Sequence, residues 1–333
     1  MESNFYYLNF IIIFVINIFF YLNRNIIYKY FNLVDKPDGK LKIHKSKIFA
    51  IGGLIFFITI ISYFLLSFLN ESSFSQYTGS SYFEKTALLF GIMGMFFLGF
   101  YDDKYNLDYQ VKIILSSLII YICLSIDESL IITKLEFTFV DKILYLRELD
   151  KFITILFILL FINALNLFDG LDLQSGSYIF ILVSIFSFYF KINFFIFLLI
   201  PSIIFLYLNF KKEIFLGDSG SLLLGFIFSY FLIKLYNFTS IKSDQLFILM
   251  MVPGIDMMRL FFLRIIRGKN PFKGDRNHIH HILLSKFGFL KTLLLTQSLI
   301  ILSIFSLLIM KIPSLIIIFF TLMIYFFLIY KNK

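Results

Sequence analysis

Long apolar runs broken by short polar stretches recur along the whole chain. A helix that crosses a bilayer needs about 20 mostly apolar residues. Runs of that kind fall near 5–22, 48–69, 86–101, 111–126, 152–166, 176–190, 193–210, 219–236, 246–262, 290–310 and 313–330. The pattern predicts an all-α polytopic membrane protein with about eleven transmembrane helices. The stretch 127–151 is too polar to span. Apolar residues at 135–140 and 143–146, on either side of Asp141 and Lys142, predict a small external hairpin there. The first run has no basic residue before it and no small-residue cleavage site after it, so it reads as a span and not as a signal peptide.

Composition agrees with this reading. Of 333 residues, 59% are hydrophobic and 15% charged, against roughly 25% charged in soluble domains. The expectation is one integral membrane domain over 1–333. The one cysteine, Cys123, lies in an apolar run, which excludes an intrachain disulfide and a cysteine-based metal site. Charge sets the sidedness. The side of the membrane that holds the loops after the odd-numbered spans, with the span ends facing it, carries 21 of the 30 Lys and Arg residues. The positive-inside rule then puts those loops and the C-terminus in the cytoplasm and the N-terminus outside. Basic loops against anionic headgroups account for the net charge of +9, so it requires no nucleic acid.

Five segments on that predicted cytoplasmic side carry acidic, amide or histidine groups beside glycine: 35–53, 99–112, 163–176, 217–221 and 253–281. Polar groups at membrane depth are expensive and usually mark a functional site. Asp102 and Asp103 end an apolar run. Paired carboxylates suit a hard cation such as Mg²⁺ that arrives with a phosphate substrate, and their repulsion suits one of them to act as a base. A solvated helix end explains an isolated pair equally well. Asn163, Asn166, Asp169 and Asp172 are each three apart and would form one polar stripe on a helix. A polar helix–helix contact is the structural alternative. Gly217-Asp218-Ser219-Gly220-Ser221 opens a span, where free N–H groups favour phosphate and where a plain helix cap is also expected. The last loop gathers Arg264, Arg267, Arg276, Asp275, His278, His280 and His281. Clustered Arg and His suit a diphosphate, whereas the arginines would repel a zinc ion.

Taken in order, these residues resemble the polyprenyl-phosphate N-acetylhexosamine-1-phosphate transferases, the MraY/WecA-like group of glycosyltransferase family 4 type. The resemblance runs from about residue 35 to residue 281. It is carried by Asp35-Lys36-Pro37, His44 and Gly52-Gly53; by Asp102-Asp103, Leu107 and Lys112; by Asn163, Asn166, Asp169-Gly170 and Asp172; by Gly217-Asp218, Gly220-Ser221; and by Pro271-Phe272, Asp275-Arg276 and His278-Ile279-His280-His281. The resemblance implies transfer of a sugar-1-phosphate, most simply N-acetylglucosamine-1-phosphate, from a UDP-sugar to undecaprenyl or another polyprenyl phosphate. UMP is released, and the product begins a cell-surface glycan. It implies a multi-pass protein of the plasma (inner) membrane, with its site facing the cytoplasm and with Mg²⁺ or Mn²⁺ as cofactor. By carry-over, Asp102 and Asp103 are the base and the cation- or phosphate-positioning group, and Asp218 is the metal ligand. Asn166, Asp169 and Asp172 shape the nucleotide-sugar site. Arg276, His278, His280 and His281 hold the donor's diphosphate or nucleotide, and Lys112 and His44 are further phosphate contacts.

Three positions depart from the family pattern: Phe49 where many members have proline, Ser116 where many have glutamine, and Leu173-Gln174-Ser175 where Gly-Leu-Ala is common. The third lies near the expected sugar site. The peptidoglycan branch, which takes UDP-N-acetylmuramoyl-pentapeptide, is the alternative within the family; it usually carries three consecutive histidines, and Ile279 interrupts them here. A transporter or lipid flippase would explain the spans but would leave charged or broken-helix sites near the midplane. A non-catalytic scaffold would have no need of all these aspartates. The sequence leaves a homodimer open.

Overall fold

The computed structural model describes residues 2–35, 48–69, 81–271 and 276–331. His44, Lys36, Pro37, Phe272 and Asp275 lie outside the described residues. Among the described residues, one helix corresponds to each apolar run: α1 (Glu2–Phe31), α2 (Gly52–Leu69), α3 (Tyr82–Tyr105), α4 (Tyr109–Ile126), α5 (Asp150–Phe168), α6 (Gln174–Ser184), α7 (Asn193–Phe210), α8 (Gly217–Phe238), α9 (Ser243–Ile266), α10 (Ile279–Leu308) and α11 (Ser314–Tyr330). Eight of them are long and apolar enough to cross a membrane; α2, α11 and α6 with its following π turn (Ile185–Tyr189) are shorter apolar helices. The protein is an all-α polytopic membrane protein.

Helix α8 is the axis of the bundle. Nearly all of it is buried, and α2, α3 and α5 pack directly on it. Glycine permits the closest approaches. A Cβ on Gly53 would lie 2.3 Å from the Gly220 nitrogen, and one on Gly99 would lie 2.4 Å from the Asp218 carbonyl oxygen. The start of α8 is therefore wedged between the backbones of α2 and α3. A short antiparallel pair, β1 (Val34–Asp35) with β2 (Ile48–Phe49), leads into α2. The Phe49 N–H donates to Glu213 O (3.3 Å), and its carbonyl accepts from Phe215 N (2.9 Å). Its ring stacks on Tyr28 at 4.7 Å. Phe49 thus serves as a strand residue with a used N–H, which accounts for the absence of proline there.

The opposite end of the bundle carries the hairpin, β3 (Lys134–Phe137) and β4 (Val140–Tyr145). Its turn is at Thr138 and Phe139, not at the Asp141-Lys142 pair that the alternation predicted. The reason is a tertiary anchor: Thr138 donates its N–H and its hydroxyl to the buried Asp244 carboxylate on α9 (2.9 and 2.6 Å). At the same end, the fully buried Lys234 of α8 reaches Glu84 of α3 (2.9 Å) and Asp127 at the end of α4 (2.8 Å), tying α8 to both helices.

Candidate functional site

The residues singled out in the sequence meet at the other end, where α3, α5 and α9 finish and α4, α6, α8 and α10 begin. Asp102 and Asp103 sit in the last turn of α3, inside the helix and not beyond it. The chain turns back at Asn106, in the left-handed conformation (φ 52°). This return lets Leu107 N–H donate to Asp102 Oδ1 (2.7 Å) and brings Lys112 Nζ to 2.5 Å from Asp102 Oδ2. Lys112 also lies 3.3 Å from Asp218 Oδ2, so it bridges two carboxylates. Asp103 accepts from the backbone N–H groups of Asp218 (2.7 Å) and Ser219 (3.0 Å). It caps α8, where a carboxylate is favoured by the helix dipole. Gly217 (φ 74°) makes that approach possible, since a Cβ there would lie 2.7 Å from Asp103 Oδ2.

Asn166, near the end of α5, donates to Asp218 Oδ1 and to Ser221 Oγ (2.8 Å). The helical stripe predicted over 163–172 holds only for its first half. Helix α5 ends at Phe168, so Asp169 is its C-cap and Asp172 lies in the following loop. That loop closes through Leu173, itself left-handed (φ 64°), whose N–H donates to Asn209 Oδ1 (2.6 Å). Asp169 accepts from the Ser175 hydroxyl. Removal from water pushes its carboxyl up to about 7, against the Ser175 hydrogen bond and helped by the charges of Asp218 and Asp103. Asp172 faces away, 4.0 Å from Lys212. Asn163 turns to the Tyr109 hydroxyl (3.1 Å).

The histidines are not in an open loop. His278 is the N-cap of α10, and His280 and His281 form its first turn, ahead of a break at Gly288 (φ 73°). The three rings pack together, with His278 and His280 stacked at 5.5 Å and His280 and His281 at 4.3 Å. His280 reaches the α5–α6 loop: a Cβ on Gly170 would lie 2.3 Å from its Nε2. Arg276 is exposed at the rim.

Sequence reasoning missed Asp256. Buried within α9, it accepts from Tyr325 OH (2.6 Å), Arg259 Nη2 (2.9 Å) and Ile279 N (3.1 Å), and it pairs with His278 Nδ1 (2.7 Å). It fixes the orientation of the first histidine and the start of α10. The available signal was an Asp and an Arg three residues apart inside an apolar run.

Asp102 and Asp218 flank Lys112, and Asp103 and Asp169 lie close enough to Asp218 to feel its charge. The donors are all oxygen, and the surplus of negative charge suits a hard dication whose other ligands are phosphate and water. Among the described residues, no three His, Cys, Asp or Glu groups form a ready-made metal cage. Mg²⁺ sites of the phosphate-transfer kind need only one or two protein carboxylates, so the residues present fit such an ion.

Such an arrangement, an oxygen-rich polar site at one end of a polytopic bundle, defines a membrane-embedded enzyme acting on charged substrates. The glycosyl transferase family 4 model matches residues 85–236. A Bacillus subtilis protein named probable undecaprenyl-phosphate N-acetylglucosaminyl 1-phosphate transferase is 30% identical over 268 residues, covering 77% of this chain and 70% of that protein. Undecaprenyl-phosphate alpha-N-acetylglucosaminyl 1-phosphate transferases of Salmonella typhi (27% over 281 residues; 80% and 73%) and Thermotoga maritima (27% over 268 residues; 80% and 77%) are similar. The chain belongs to glycosyl transferase family 4.

Proposed function

We propose that this protein transfers a sugar-1-phosphate, N-acetylglucosamine-1-phosphate in the first instance, from a UDP-sugar to undecaprenyl phosphate. The observation that carries this reading is the Asp102–Lys112–Asp218–Asn166 network at the mouth of the bundle. It offers a cation for phosphate and carboxylates for a dication side by side. The names of the relatives support the acceptor and the donor class.

In the reaction, a phosphate oxygen of the acceptor forms a bond to the β-phosphorus of the donor. The bond from that phosphorus to the bridging oxygen breaks, and UMP leaves with that oxygen and its electron pair. Asp218, the more accessible of the two carboxylates on Lys112, would hold Mg²⁺ or Mn²⁺, with Asp102 beside it. When bound, the ion would supply charge neutralisation on the phosphates. Lys112 holds the attacking phosphate by charge and hydrogen bonding, and Asp102 keeps Lys112 protonated and in place. With both oxygens occupied by α8 N–H groups, Asp103 sets the position of Asp218. If the acceptor arrives with a phosphate proton, Asp102 is the base nearest Lys112. Asp169, Asn166 and the histidines form the donor side.

The surplus of Lys and Arg in the loops at this end favours a cytoplasmic orientation in the plasma membrane. An assay of UMP release with undecaprenyl phosphate, Mg²⁺ and a panel of UDP-sugars tests the proposal. Lipid-dependent UMP with one sugar supports it and names the donor; no UMP with any sugar rejects it.

A further inference from the structure

Helices α6 and α10 enclose two glutamines that the transfer chemistry above does not use, and both lie beside His280. Gln174 is fully buried (0% exposed), His280 nearly so (1%), and Gln297 is 8% exposed. Gln297 Nε2 donates to the Gln174 carbonyl oxygen (2.9 Å), and Gln174 Nε2 lies 3.5 Å from His280 Nδ1. Gln174 Oε1, Gln297 Oε1 and His280 Nε2 are all buried without a hydrogen-bonding partner. A buried polar atom left unpaired is costly, and each one in a native fold asks for a reason. Three gathered in one place point to a functional arrangement and not to packing. A leucine at position 174 would leave no unpaired side-chain atom there.

The direction of the histidine supplies the reason. Its Nε2 is aimed at Gly170, where even a Cβ would come within 2.3 Å. Gly170 follows Asp169 in the loop assigned above to the donor, and Ser175, next to Gln174, holds Asp169. With the Gln174 amide nitrogen 3.5 Å away and facing it, Nδ1 would be the acceptor of a neutral ring. The proton then resides on Nε2, which becomes a hydrogen-bond donor facing the loop.

We propose that Gln174, steadied by Gln297 through the α6 backbone, is a positioning residue that fixes the orientation and tautomer of His280, so that Nε2–H faces an oxygen of the nucleotide-sugar donor at the Gly170 turn. The inference rests on the donor reading given above. It makes donor affinity depend on a pair of glutamines that never touch the donor.

The test has two arms. In the first, nitrogen-15 histidine NMR of the full-length protein in detergent reports the tautomer of His280, assigned with His280→Ala. Wild type is expected to carry the proton on Nε2, and Gln174→Leu to show a mixture of tautomers. The same tautomer in both proteins overturns the proposal. In the second, KM and kcat for UDP-N-acetylglucosamine are measured for Gln174→Leu, Gln297→Leu, His280→Ala and the Gln174→Leu/His280→Ala double variant. Gln174→Leu is expected to raise the donor KM roughly three- to tenfold, the worth of one hydrogen bond. The acceptor KM and the thermal midpoint should stay unchanged, and the double variant should be no worse than His280→Ala alone. Additive effects, or an equal rise in the acceptor KM, overturn it. A wild-type protein that releases no UMP removes the donor reading, while the tautomer comparison still decides whether Gln174 positions His280.

Discussion

Gly99→Ala is the sharpest perturbation of the site that leaves every polar residue in place. The added methyl would lie 2.4 Å from the Asp218 carbonyl oxygen, 2.5 Å from its carbon and 2.6 Å from Ser219 Cα, whereas ordinary contact begins at 3.4 Å. All three are backbone atoms and cannot rotate away, so α3 and α8 must separate by about 1 Å. The Asp103 hydrogen bonds, now 2.7 and 3.0 Å, would then stretch past the usual limit of about 3.2 Å. Overpacking costs about 1–3 kcal/mol, and losing charge-assisted hydrogen bonds adds a similar amount, for a total of roughly 2–6 kcal/mol. Displacing Asp218 from Lys112 and Asn166 by about 1 Å is expected to lower kcat about a hundredfold. Thermal unfolding in detergent and UMP release measure the two effects. Gly94→Ala on the same helix is the control, because its methyl would meet only the Ile119 side chain, at 3.0–3.2 Å, which can shift. A Gly99→Ala protein as stable and as active as wild type would refute the claim that backbone contact between α3 and α8 sets the site.

Asp218→Asn and Asp103→Asn are expected to abolish transfer while the protein still inserts in membranes; wild-type turnover in either sinks the assignment. Chelation with EDTA should stop UMP release and Mg²⁺ should restore it, and activity that survives exhaustive chelation rejects the metal-dependent reading. Leu173→Gly should raise stability by about 1 kcal/mol, because position 173 is left-handed (φ 64°) and a branched side chain is strained there; a lower thermal midpoint contradicts this. Asp169 has its carboxyl raised from 3.8 to about 7, so between those values the folded protein holds a proton that the unfolded chain has lost. Its contribution therefore disfavours the folded state increasingly as pH rises from about 4 to 7 and is constant above that range. Asp169→Asn should remove that share of the slope in metal-free protein, and an unchanged pH profile of thermal stability would exclude it.

Much of this architecture was legible in the sequence, because membrane burial leaves a coarse, strong pattern. Every apolar run became a helix, and Asp102, Lys112, Asn166 and Asp218 stood out as polar groups in lipid-compatible surroundings. What the pattern could not show was set by single backbone conformations and tertiary partners. The left-handed Leu173, a residue type that seldom adopts that conformation, turned the predicted stripe into a loop and sent Asp172 to Lys212. The anchor on Asp244 moved the hairpin turn to Thr138. Asp256 was hidden because hydropathy averages over a window, and one buried network inside a long apolar helix barely alters the mean. The histidines were read as part of the last loop, because the helical turn they open is short and ends at Gly288.

The buried Lys234 bears on how the chain is made. A helix with a lysine facing hydrocarbon enters a bilayer unwillingly, and α8 is otherwise the best-buried helix of the bundle. Both of its counter-charges, Glu84 and Asp127, precede it in the chain. During synthesis both leave the ribosome before Lys234, so their charges are available when the last turns of α8 arrive. The order of residues along the polypeptide thereby works as an assembly schedule, with the central helix arriving after part of the wall that shelters it.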